Sequence, residues 1–249
     1  MPSSSPSPTA LFAGTSGWTY PTWKPGFYPP QVSSAKFLPY YSSQLNSVEV
    51  NYTFGRLPTQ KIVTRWLDET PTGFRFSFKA PQRITHFNRL RDCDTLVAEF
   101  FDALEPVASA GKLGLVLFQL PPNFKADAAR LRTFLAAPAF SRPDSLRIAF
   151  EFRHPSWFTD EIAALLSESN AAYCIADTDD LQTPEVHTAA AYTCFRLRRA
   201  GGYEPHEISA FAQKFQNLAT ERDVYVYFRH EDEPAGALNA VALLNQAAP

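Results

Sequence analysis

Arg147–Trp157 reads RIAFEFRHPSW. Ile148, Phe150 and Phe152 alternate with Ala149, Glu151 and Arg153, the period of two that marks a strand with two different faces. The face opposite the aromatics ends in a carboxylate and a guanidinium. His154 follows, and Pro155 then removes a ladder donor and stops the strand.

Working outward, seven further short apolar runs recur along the chain: Leu11–Ser16, Val48–Phe54, Phe74–Ala80, Leu113–Leu120, Ala171–Ala176, Tyr192–Leu197 and Val224–Phe228. Most are followed by a segment with helical spacing. Ser33–Leu45, Thr59–Leu67, Thr95–Ala108, Asp127–Leu135, Ile208–Leu218 and Gly236–Asn245 carry apolar stripes, and Thr159 caps a helix bearing Ile162, Leu165 and Leu166. Ala171–Ala176 is followed by a loop with little helical signal. Eight strands alternating with helices predict an α/β fold, a (β/α)8 TIM barrel over residues 11–249 as one domain. The alternative is an open doubly wound sheet, but no GxGxxG or Walker fingerprint accompanies it. MPSSSPSPTA has the Pro/Ser content of a disordered lead-in over residues 1–10 and lacks the regions of a secretory signal.

Composition narrows the class. The 249 residues are 45% hydrophobic and 19% charged, with a net charge of −2, so no global basic field recruits nucleic acid. No 18-residue apolar run predicts a membrane span. Cys93, Cys174 and Cys194 show no CxxC or Cys/His spacing. They read as buried free thiols in a reducing, cytoplasmic compartment.

In a barrel, alternate strand residues face the interior. Sorting the strands puts Glu49, Asn51, Lys79, Gln119, Glu151, Arg153, Arg196, Tyr227 and Arg229 in the interior class, with Asp177 ending the sixth strand. The charged members gather near the C-terminal strand ends, where barrels of this kind hold their sites. Lys79, Arg153, Arg196 and Arg229 face Glu49, Glu151 and Asp177, so the mouth leans cationic and suits a phosphate or carboxylate. A plug of buried ion pairs is the competing structural reading. His86 and His154 lie just beyond two of the strands, whereas His187, His206 and His230 read as surface or loop residues. Trp18 opens an aromatic loop, Gly17–Pro30, that reads either as a stacking lid or as a packed Ω-loop.

Taken together, GTSGWTYPTWKPGFYP, SVEVNYTF, FSFKAPQRITH, LGLVLFQLPPNF, AFEFRHPSWF, the Asp177 strand end and YVYF resemble the DUF72 family, also called YecE-like proteins. The resemblance runs from about Gly14 to Asn245. It implies a TIM barrel similar to that of endonuclease IV and xylose isomerase-like proteins, and it brings no established activity. Three positions depart from the family pattern. Gly55 stands where many members have Tyr, Arg198-Arg199 where His-Gly is usual, and Arg229-His230 where Asn-Asn is familiar. The last two departures make the mouth more cationic.

Three functions compete. A hydrolase or lyase acting on a phosphate-bearing or other anionic substrate, nucleic acid included, would use Glu151 or Glu49 as base or metal ligand and the Lys/Arg set to hold the anion. Asp177 and His154 would orient water or a metal, and Gln119, Asn51, His86, Tyr227 and Trp18 would line the substrate. A divalent metal is the one cofactor left open, although the mouth is richer in Lys and Arg than in metal ligands. A glycosidase-like enzyme would pair Glu49 with Glu151, about 5 Å apart for retention or roughly 6.5–9.5 Å for inversion. The third is a non-catalytic binder of nucleic acid or a small anion. The oligomeric state is not set by the sequence.

Overall fold

The computed structural model describes residues 10–141, 146–229 and 233–247. The predicted lead-in, apart from Ala10, and His230 lie outside them. Eight parallel strands form one sheet: β1 (Leu11–Thr15), β2 (Ser47–Val50), β3 (Arg75–Lys79), β4 (Leu113–Gln119), β5 (Ile148–Glu151), β6 (Ala171–Asp177), β7 (Tyr192–Leu197) and β8 (Asp223–Phe228). The order β1-β8-β7-β6-β5-β4-β3-β2 rolls the sheet into a nearly closed single-domain (β/α)8 barrel. The helices are α1 (Phe37–Gln44), α2 (Tyr52–Gly55), α3 (Gln60–Asp68), α4 (Asp94–Ser109), α5 (Ala128–Leu135), α6 (Asp160–Glu168), α7 (Pro205–Leu218) and α8 (Ala235–Ala247). β6 and β7 are joined by a loop without a helix.

The seam between β1 and β2 is closed by side chains. The two strands meet in a single bridge, Ser16 with Glu49. Below it, Asn46 takes the place of a strand, accepting from Ala13 N through Oδ1 (2.8 Å) and donating to Leu11 O through Nδ2 (2.9 Å). The Tyr41 hydroxyl accepts from Thr15 N (2.8 Å) and donates to Ser47 O (3.1 Å). Gly14 permits this approach, because a Cβ there would sit 1.9 Å from Ser47 O.

The barrel interior is layered. Phe12 stacks on Tyr225 at the N-terminal end, 4.9 Å between centroids, under the Arg75 guanidinium. Leu115, Leu117, Ala149, Ala172, Cys174 and Cys194 fill the middle. The outward residues pack under the helices; Phe76 and Phe78 of β3 meet Trp66 of α3 there. All three cysteines are free and buried. No helix among the described residues is long and apolar enough to cross a membrane.

One sequence expectation needs correction, and one open alternative is decided. The second strand, predicted over Val48–Phe54, stops at Val50. Thr53 Oγ1 donates to Lys79 O (2.6 Å), and Tyr52–Gly55 folds into a helical turn despite its β-branched and aromatic character. The aromatic loop is packed rather than poised as a lid. Trp23 and Tyr28 are fully buried, and Tyr28 stacks on Phe37 at 4.0 Å. Large rings of this kind stabilise by the area they bury.

Candidate functional site

The ionic groups converge at the C-terminal end of the barrel. Glu49 lies next to the end of β2, Glu151 ends β5, and Arg196 lies inward on β7, all fully buried. Arg196 Nη2 donates to Glu49 Oε1 (2.8 Å), and Arg196 Nη1 donates to Glu151 Oε2. Arg153 Nε completes the set by donating to Glu151 Oε1 (2.7 Å).

Burial alone would raise both carboxyl groups, but cationic neighbours override it. Arg196 and Arg153 hold Glu151 down to about 2. Arg196 and Arg198 hold Glu49 below the usual carboxylate range. Both are therefore anions at neutral pH, and their charge is spent on Arg196 and Arg153.

Two cations remain. Arg198 follows Arg196 by two residues and so shares its inward face. Its Nη1 donates to Ser16 Oγ (2.9 Å), which in turn donates to Glu49 Oε1 (2.8 Å). Burial, then Arg196, push Arg198 down to about 10. Lys79, at the end of β3, is half-buried with its Nζ 4.1 Å from the centre of the Phe54 ring. Among the described residues it has no ion-pair or hydrogen-bond partner. Four basic groups (Arg153, Arg196, Arg198, Lys79) thus meet two carboxylates.

A cavity of about 330 Å³ opens beside this cluster, lined by Glu151, Arg153, Arg198 and Arg229, with the exposed Asp179 and Asp180 on its outer wall. Gln119, paired in register with Glu151, is 5% exposed. Asn51 reaches Ser16 O through Nδ2 at 3.5 Å, while its Oδ1 is buried without a partner. His86 sits in a π-helical turn, Arg83–Phe87, edge-on to Phe54 (5.0 Å). Burial, then Lys79 and Arg153, lower its pKa.

Four predicted site residues lie elsewhere. Asp177 shares the outward parity of Tyr173 and Ile175, since Ala172, Cys174 and Ala176 face inward. It accepts from the Tyr203 hydroxyl (3.1 Å) and faces Arg199 Nε at 3.6 Å, so it belongs to the β7–α7 side and not to the mouth cluster. Tyr227 is inward but one layer deeper, its hydroxyl bonded to Ser47 Oγ (2.7 Å) and Ser77 Oγ (2.6 Å), with no exposed surface. Trp18 packs its edge on Trp66 of α3, outside the barrel wall. His154 Nδ1 accepts from Ser156 N (3.2 Å), and Ser156 Oγ accepts from Ala126 N (2.8 Å), so His154 orients the serine that ties two loops together. In turn, the sequence reading passed over Ser16 and named Arg198 only as a departure from the family pattern, not as a site residue. Arg198 was legible from its two-residue offset to Arg196.

Among the described residues, no three His, Cys, Asp or Glu side chains come together to hold a metal ion. A Cβ on Gly55 would meet nothing within 4 Å.

Residues 12–249 match the family model described as "Protein of unknown function DUF72". The chain is 34% identical over 149 residues to UPF0759 protein YecE of Escherichia coli K12, covering 59% of this chain and 50% of the relative. It is 33% identical over 156 residues to UPF0759 protein YunF of Bacillus subtilis, covering 60% and 52%. The chain thus spans about half the length of the curated relatives it matches. A DUF72 family protein of Thermotoga maritima superposes with a TM-score of 0.82 at 25% identity, over 94% of this chain and 98% of that one. A DUF72 family protein of Enterococcus faecalis shares the fold, with a TM-score of 0.79 at 19% identity over 96% and 95%.

Proposed function

The chain belongs to the DUF72 family, which brings a fold and no activity, and on that premise we propose that the barrel mouth binds a small anionic molecule through a phosphate or carboxylate, as the site of a lyase or hydrolase. One observation carries this reading: among the described residues neither Lys79, beside the cluster, nor Arg198, on the cavity wall, forms an ion pair, while Arg196 and Arg153 are already paired with Glu49 and Glu151. Cations held partly out of water without counter-charges are stabilised by an incoming anion. A cavity of about 330 Å³ suits a small ligand better than a polymer, and Asp179 and Asp180 on its outer wall oppose a polyanion.

A glycosidase needs one carboxyl kept protonated as the acid. Here one guanidinium holds both candidates ionised, which argues against that chemistry. The free, buried thiols support a reducing, cytoplasmic setting. Calorimetric titration with phosphate, sulfate and short sugar acids tests the proposal. Binding that weakens about tenfold or more in Arg198→Gln is expected, a loss of about 1.4 kcal/mol. An absence of heat and of thermal shift with every anion would overturn it.

A further inference from the structure

Lys79 differs from Arg153, Arg196 and Arg198. Arg196 spans two carboxylates, Arg153 holds Glu151, and Arg198 is bonded to Ser16. The Lys79 ammonium has no such partner among the described residues and rests against the Phe54 ring. Lys112 supplies the contrast within the same chain. It too is withdrawn from water, but it donates to Leu67 O (2.8 Å), Thr70 O (2.6 Å) and Thr70 Oγ1 (3.0 Å), which occupies all three of its protons. A lysine spent in this way is structural. A lysine left half-buried among guanidinium groups, with only the cation–π contact to Phe54, keeps a larger neutral fraction than an exposed lysine does.

We propose that Lys79 is a nucleophilic amine that forms an iminium with the carbonyl group of a short substrate whose phosphate or carboxylate is held by Arg153 and Arg198. The proposal rests on the anionic-ligand reading above. Burial, then Arg196, push Lys79 from 10.5 down to about 8; Arg153 adds to this, and Glu49 and Glu151 oppose it. His86 packs on the same Phe54 ring. Its Nδ1 lies 2.8 Å from Thr85 Oγ1, whose own proton goes to Pro81 O (3.3 Å). With Nδ1 engaged by Thr85, Nε2 is the nitrogen of His86 left to relay a proton, and Lys79 lies near enough for its charge to act on the imidazole.

The step balances without an oxidant or reductant. The Lys79 lone pair forms the C–N bond as the carbonyl π pair moves to oxygen. One nitrogen proton passes through His86 to that oxygen. A second proton, from solvent, carries it off as water, leaving the C=N cation. The iminium then draws electrons from an adjacent C–H or C–C bond, the chemistry of a lyase or an aldol-type enzyme.

The test is reductive trapping on the full chain at neutral pH. Glyoxylate, pyruvate or formaldehyde is added with sodium cyanoborohydride, and each lysine is followed by peptide mass mapping. Lys79 should be labelled on the order of a hundredfold faster than an exposed lysine, as its larger neutral fraction requires. Lys112 should stay unlabelled, and inorganic phosphate should slow the glyoxylate reaction at Lys79. Labelling of Lys79 no faster than that of exposed Lys61 overturns the proposal, and phosphate binding seen by calorimetry in that case leaves the anion site standing. Fast labelling by formaldehyde, with no phosphate effect on glyoxylate, upholds the amine and overturns the anion reading. Lys79→Gln should abolish the adduct; should that variant fail to fold, the wild-type map decides alone.

Discussion

Arg196 Nη2 lies 2.8 Å from Glu49 Oε1, with neither side chain more than 1% exposed. The other end of the same guanidinium closes on Glu151, across the barrel from β2. One arginine thereby ties β7 to both β2 and β5. Arg196→Met leaves two buried carboxylates without their shared cation and should cost about 3–5 kcal/mol, read by urea unfolding. Adding Glu49→Gln and Glu151→Gln should recover much of that loss, because the cost lies in the stranded charges and not in a missing contact. Simple additivity of the three substitutions would contradict this account.

The same network sets an acid limit. Glu151 falls from its ordinary 4.5 to about 2 in the folded protein. A depressed folded value means that its contribution is complete above about 4.5 and is lost as pH falls towards about 2. Stability should therefore drop steeply over that window, with Glu49 acting in the same direction. Glu151→Gln should flatten the slope in a pH series of denaturant melts. An unchanged slope would show that other carboxylates dominate.

The β1–β2 seam should be sensitive to single atoms. Tyr41→Phe removes the hydroxyl that accepts from Thr15 N and leaves a buried donor unpaired, for about 1–3 kcal/mol. Gly14→Ala forces a Cβ to within 1.9 Å of Ser47 O, a backbone atom, and should destabilise more than Tyr41→Phe. Thermal melts of the two variants give the order directly.

Anion binding should separate the mouth from its surroundings. With ligand at a hundred times Kd, binding should add about 2.7 kcal/mol to stability. That gain should shrink in Arg198→Gln and persist in Asp177→Asn, because Asp177 engages Tyr203 and Arg199 on the β7–α7 side. Equal losses in both variants would place Asp177 in the site after all.

Much of this was readable beforehand, for a local reason. Strand alternation is a property of consecutive residues, so the inward class of β3, β4, β5, β7 and β8 follows from sequence alone. The same rule, applied to Tyr173, Ile175 and Asp177, already points Asp177 outward. Depth is different. Tyr227 and Arg196 both face inward, yet Tyr227 meets Ser47 and Ser77 in the middle layer while Arg196 meets carboxylates at the mouth. Strand tilt and stagger set that level, and they exist only once the sheet has closed.

Arg147–Trp157 shows the same division. Its alternation and Pro155 determined by themselves that a strand ends in Glu151 and Arg153, facing away from the phenylalanines. Closure of the sheet decided that Glu151 shares a guanidinium with Glu49, about a hundred residues earlier in the chain. Among the described residues it also left Lys79 and Arg198 without an ion-pair partner. Alternation is written in neighbouring residues, whereas the pairing of charges depends on which strand ends a closed barrel brings to one level.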